Sequence, residues 1–301
     1  MRWLRAAPAH YVPPRHAKPY EDLPGVLPFF HGMAANLDEN VGRLREFLRD
    51  RRLERDTIVI YMTDNGTVER TNYYTAGMRG RKGSLYDGGH RVPFFLHWPG
   101  GGALTQPREV EALTHGTDLV PTLLDLCGVP AAPGAVFDGR SLAPLLAGNA
   151  AAAADRSVVV QFGASFKEWD CAVLRGRWRL VRGAELHDLS SDPGQARDVA
   201  PQFPAIVAAL RADYEAWLGP TKAVMGRPNH IIVGSPNERI STLSAADWVG
   251  PYCGEWGELK AGATPKFGHW DIEAASDGDY TVSLHLFPPE SGAPLAGAFR
   301  G

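Results

Sequence analysis

The segment Thr57–Gly100, TIVIYMTDNGTVERTNYYTAGMRGRKGSLYDGGHRVPFFLHWPG, decides how this chain reads. A β-branched apolar run, Thr57–Met62, ends in Thr63-Asp64-Asn65-Gly66. A glycine-rich loop follows, with Arg81-Lys82-Gly83-Ser84 and then Gly88-Gly89-His90-Arg91-Val92-Pro93. In open α/β sheets, functional groups collect beyond the carboxyl ends of strands. Asp64 and Asn65 there offer a carboxylate and an amide oxygen, donors suited to calcium or magnesium rather than zinc. The same residues also read as a plain Asp-Asn-Gly turn. Calcium takes roughly six to eight oxygens, so two residues alone do not make a site. Lys82 is flanked by glycines that let backbone approach a ligand, and its ammonium can hold an anionic ester oxygen. A solvated surface lysine is the plainer alternative.

Upstream, Met33, Leu37, Val41, Leu44 and Leu48 fall on one face of a helix expected over about Gly32–Asp50. A helix feeding an apolar strand predicts an α/β fold with a mainly parallel sheet buried on both faces. Arg91–Trp98 reads as the next strand, and Thr117–Leu126 as a helix stopped by Gly128. Ser141–Leu146 and an alanine run lead to a subdomain boundary near 150–156. Beyond it, Ser157–Phe162 and Ala172–Val181 read as strands, and Phe203–Leu218 as an amphipathic helix. These elements predict a small antiparallel sheet with a packed helix. In the tail, His230–Val233 reads as a short strand, and Tyr280–Leu286 alternates as a half-exposed strand does. The expected domains are 1–155 as part of a catalytic α/β domain, 156–218 as the sheet-and-helix subdomain, and 219–301 as a β-rich extension.

Composition narrows the function. The 301 residues are 44% hydrophobic and 22% charged, enough apolar content for a buried core. The net charge of -3, with no Lys/Arg block, argues against nucleic acid as a partner. No run reaches membrane-span length. The N-terminus has positive charge but no apolar core of an export signal. Cys127, Cys171 and Cys253 are too far apart for a zinc motif and are expected to be free, mostly buried thiols.

The chain resembles the sulfatase family, of the arylsulfatase type and the alkaline-phosphatase-like superfamily. The family carries T-D-N-G after a core strand, then G-x-K-G-S-x-x-E-G-G-x-R-V-P, an apolar strand and W-P-G. Thr63–Gly66, Gly80–Pro93 and Trp98-Pro99-Gly100 follow that order, with Asp87 in place of the usual Glu and His90 in place of an apolar residue. His115–Pro130 resembles H-x-D-L-x-P-T-L-L-D-L-x-G, and Asp138–Leu142 resembles D-G-x-S-L. Val173–Ala200 is similar to the family's C-terminal subdomain. The matches extend over about residues 30–218. The resemblance implies that Asp64 and Asn65 are two ligands of a calcium ion and that Lys82 contacts the sulfate ester. It also implies that His10, in Ala7-Pro8-Ala9-His10, is the family's A-P-H histidine. The implied activity is calcium-dependent sulfuric ester hydrolysis of a sulfated small molecule or glycan.

The family's nucleophile is a formylglycine made from a C-x-P-x-R motif, and no such motif occurs here. Cys127-Gly128-Val129-Pro130 has its proline one place late, and Cys171–Arg175 has no proline. The paired aspartates that complete the calcium shell and the family's G-K-x-x-H element are also missing. The expectation is a C-terminal portion of a sulfatase that is inactive alone, because a covalent mechanism needs its nucleophile. Unpaired sheet edges should then make it poorly soluble. Two alternatives are a phosphoryl or phosphonate hydrolase on the same fold, and a non-catalytic pseudoenzyme or glycan-binding module.

Overall fold

A computed structural model of the protein describes residues 12–67, 74–102, 107–149, 155–162, 166–225, 230–244, 247–251 and 265–285. The chain divides into two units, residues 9–223 and residues 1–8 with 224–301. Among the described residues no helix is long and apolar enough to cross a membrane.

The larger unit opens with α1 (Pro14–Ala17) and α2 (Leu27–Asp50). α2 begins a turn and more ahead of the expected start. Pro28 sits in its first turn, where the missing N–H has no partner to lose. α1 closes against it at Gly32, where an added Cβ would stand 3.0 Å from the Ala17 backbone. Buried His16 completes the contact, its Nε2 2.7 Å from Glu39 Oε2.

β1 (Val59–Met62) leads through the glycine-rich loop and α3 (Asp87–His90) into β2 (Phe94–His97). The two strands pair antiparallel, Val59 opposite His97 and Met62 opposite Phe94. This corrects the expectation of a mainly parallel sheet buried on both faces. A parallel return needs a crossover, usually a full helix. The described part of residues 63–93 holds only the single turn of α3, so the chain doubles back. No residue of either strand is fully buried, and Phe95 is 64% exposed.

A 3₁₀ turn, Gly116–Asp118, starts α4 (Leu119–Leu126), and α5 (Ala143–Leu146) follows. Asp118 knits this region together. Its fully buried carboxylate accepts the N–H of His115 (2.8 Å) and of Arg140 (2.9 Å) and pairs with Arg156.

Then come β3 (Ser157–Gln161), β4 (Cys171–Arg175), β5 (Trp178–Val181) and β6 (Glu185–Asp188), an antiparallel meander in sequence order. The single strand expected over Ala172–Val181 is two strands. Gly176 takes φ +51° in the two-residue turn between Arg175 and Trp178, a conformation suited to glycine and to tight hairpins. α6 (Pro204–Val224) buries Leu210, Tyr214 and Leu218. It is fixed to the sheet by Tyr214, whose hydroxyl accepts the Trp169 N–H (3.1 Å), and by Arg211, which donates to the Gly183 carbonyl (2.7 Å). The other side of the sheet presents Val158, Ala172, Leu174 and Val181, and Leu85 of the glycine-rich loop packs among them. Both faces are therefore covered, which accounts for the unbroken apolar run Cys171–Leu174.

In the smaller unit β7 (Ile231–Val233) and β8 (Ile272–Ala274) pair parallel. The expected strand at Tyr280–Leu286 does not form over its described residues, 280–285. Val282 and Leu284 are exposed, and the Tyr280 hydroxyl instead donates to the Ser276 carbonyl at 2.7 Å. Alternation without a partner strand does not hold a chain extended.

Candidate functional site

At the end of β1, Thr63 Oγ donates to the Asn65 carbonyl (3.3 Å), and the Asn65 N–H donates to Asp64 Oδ1 (2.9 Å). The turn reading of Asp64-Asn65-Gly66 is thus realised, and it leaves Asp64 exposed and Asn65 half-buried. Gly66 donates its N–H to the Gly89 carbonyl (3.0 Å), and Lys82 donates its N–H to the Thr67 carbonyl (2.9 Å). These two bonds stitch the Asp-Asn turn to the lysine loop. The approach is close: a Cβ on Gly66 would meet the Gly88 carbonyl oxygen at 2.0 Å. Only glycine fits there.

Asp64, Asn65 and Lys82 are therefore carried on adjoining backbone. The Lys82 side chain is exposed and makes no ion pair with a described residue. His10 lies outside the described residues. Among the described residues no group of three or more His, Cys, Asp or Glu could hold a metal. Two oxygen donors are too few for calcium, so the described residues do not by themselves fit that ion. Neither described cysteine fits the formylglycine precursor. Burial pushes the Cys171 thiol up to about 11, and Cys127, exposed rather than buried as expected, ends α4.

The loop behind Lys82 holds residues to which sequence alone assigns no role at the site. Asp87 is 1% exposed; its Oδ1 accepts from Arg179 Nε (3.1 Å), and its N–H donates to Gln195 Oε1 (2.8 Å). Arg79 lies 3.7 Å above the Tyr86 ring and donates to the Gln195 carbonyl at 2.9 Å. The Tyr86 hydroxyl donates to Glu185 (2.9 Å); burial and that carboxylate hold its pKa above the usual phenol value. Burial pushes His90 below the usual imidazole value against the opposing charge of Asp87, and burial likewise lowers His115. Arg79 and Asp87 were visible as charges within the loop. Arg179 and Gln195 lie roughly a hundred residues downstream, and no local pattern marks them. Two open grooves of about 460 Å³ lie beside α6 and beyond β6, and neither is lined by Asp64, Asn65 or Lys82.

Comparison with known proteins matches two family models, Sulfatase over residues 10–129 and N-sulphoglucosamine sulphohydrolase, C-terminal, over residues 81–216. Arylsulfatase K of Gallus gallus is 27% identical over 206 residues, covering 63% of this chain and 36% of that protein. N-acetylgalactosamine-6-O-sulfatase of Bacteroides thetaiotaomicron is 29% identical over 205 residues, covering 58% and 39%. The chain thus spans well under half the length of these relatives. Among solved structures, the PsFucS1 sulfatase of Pseudoalteromonas sp. aligns with a TM-score of 0.59 at 20% identity, covering 74% of this chain and 48% of that one. Ps i-CgsB in complex with k-i-k-neocarrahexaose aligns at 0.62 and 22%, covering 70% and 48%. At that identity the likeness concerns the fold alone. Two overlapping family models together run from residue 10 to residue 216, and over that stretch the chain matches the sulfatase family.

Proposed function

We propose that this chain supplies the sulfate-holding part of a sulfuric ester hydrolase of the arylsulfatase type, acting on a sulfated small molecule or glycan. The observation that carries the reading is the pair of backbone hydrogen bonds, Gly66 to Gly89 and Lys82 to Thr67, joining the Asp-Asn turn to the lysine loop. In this reading the Lys82 ammonium holds a sulfate oxygen and stabilises negative charge that develops as the ester bond breaks. Asp64 and Asn65 are two oxygen ligands of a calcium ion whose remaining ligands lie outside the described residues, and His10 is a second catalytic residue. Residues 1–155 belong to the catalytic α/β domain, 156–218 to the sheet-and-helix subdomain, with α6 running on to Val224, and 219–301 to an extension. With no C-x-P-x-R motif, the chain alone binds the ester without turning it over.

The test is binding and hydrolysis of 4-nitrophenyl sulfate and 4-nitrophenyl phosphate, with and without calcium, by the chain and by Lys82→Ala. Sulfate-ester binding that Lys82→Ala abolishes supports the reading. Hydrolysis of the phosphate ester points to the phosphoryl hydrolase alternative. An in-frame C-x-P-x-R coding sequence upstream of Met1 would supply the nucleophile.

A further inference from the structure

We propose that Gln195 and Arg79 are positioning residues for Lys82, clamping both feet of the loop that carries it onto the segment that follows β6. The inference rests on the reading of Lys82 as the sulfate-holding residue. Gln195 is fully buried and receives the loop twice. Its carbonyl accepts from the Arg79 side chain (2.9 Å), and its Oε1 accepts from the Asp87 N–H (2.8 Å). It does so from φ +52°, a conformation that non-glycine residues rarely adopt, with its own N–H donated to the Asp192 carbonyl at 3.1 Å. The feet also bond to each other, Gly88 N–H to the Arg79 carbonyl at 2.8 Å.

Three further contacts hold the second foot. Leu85 inserts among Val158, Ala172, Leu174 and Val181. Tyr86 bonds Glu185, and Arg179 of β5 pairs with the Asp87 carboxylate. Between the feet, Arg81, Lys82 and Gly83 stand exposed. The result is an arch anchored at both ends, with the candidate lysine at its crown. A lysine is a point charge on a flexible stem. Fixing the backbone that carries it lowers the cost of bringing that charge to a ligand. Neither Gln195 nor Arg79 bonds the Lys82 side chain.

The experiment uses the full chain and two substitutions. Gln195→Gly keeps the left-handed backbone and its carbonyl but removes Oε1; Arg79→Met breaks the other tether at a half-exposed side chain, with little threat to folding. Hydrogen exchange is compared between residues 79–91 and β4–β5, and 4-nitrophenyl sulfate is titrated with the Lys82 amide resonance as probe. We expect exchange at 79–91 to quicken at least ~10-fold while β4–β5 stays unchanged. Ester affinity should fall about fivefold in both variants and recover in Arg79→Lys, which restores a donor. Unchanged loop exchange in both variants overturns the clamp. A loosened loop with unchanged ester affinity overturns its positioning role. Failure of Lys82 to respond to the ester in the unsubstituted chain overturns the underlying reading, and is recognised because it precedes any substitution.

Discussion

The β3–β6 sheet and the β1–β2 pair end up differently, although the strands of the pair are the more apolar of the two. In the former, Ala172, Val173, Leu180 and Leu186 are wholly buried, with α6 against one face and Leu85 against the other. In the latter, Phe95 and Met62 reach solvent, and Leu37, Leu44 and Phe47 of α2 are exposed as well. The difference teaches that apolar content does not complete a core; a second layer does. The residues of the candidate site begin at the end of the less covered pair. The loop that bears Lys82 borrows its order from the well-covered sheet.

The largest effect should come from the ion pair beside that sheet. Arg156→Met leaves the buried Asp118 carboxylate without its cation and should cost about 3–5 kcal/mol in urea unfolding. The pH dependence has a definite sign. Burial pushes the Asp118 carboxyl up, but Arg156 and the N–H groups of Arg140 and His115 outweigh it and hold it below the usual value. A carboxyl depressed on folding stabilises above its unfolded value, about 4, and loses that contribution as pH falls through its lower native value. The urea midpoint should therefore drop steeply in that acid range, and less so in Arg156→Met.

Leu180→Ala, in the centre of the covered sheet, should cost about 2–5 kcal/mol by the same measurement. Phe95→Ser on β2 should change unfolding by no more than about 0.5 kcal/mol, because little burial is lost. It should instead lower self-association in light scattering, since exposed strand edges and apolar faces drive aggregation. Equal costs for the two substitutions would erase the contrast. The smallest effect is chemical. Iodoacetamide at pH 8 should label Cys127 in the native chain and spare Cys171, which is buried and whose thiol stays protonated well above that pH.

Much of this was legible in the sequence. The helical spacing of Met33 to Leu48, the breaks at Gly66 and Gly128, and the motif order fixed the elements and the family. Strand direction was not legible, because β1 looks the same whether its neighbour runs parallel or antiparallel. The lost strand at Tyr280 shows the same limit: alternation states a preference, and a partner realises it. At the site, Asp64, Asn65 and Lys82 were marked by neighbouring glycines and turn chemistry. Arg179 and Gln195 were not, because they meet Asp87 through tertiary contacts that leave no trace in spacing.

The central claim is that the lysine loop holds the sulfate and that the Asp-Asn turn bonded to it belongs to the same site. Titration of 4-nitrophenyl sulfate into the full chain, followed at backbone amide resonances, tests it most directly. The account predicts saturable shifts at Lys82 and at Asn65 together, abolished by Lys82→Ala. Shifts confined to other residues, or equal binding by Lys82→Ala, would contradict it.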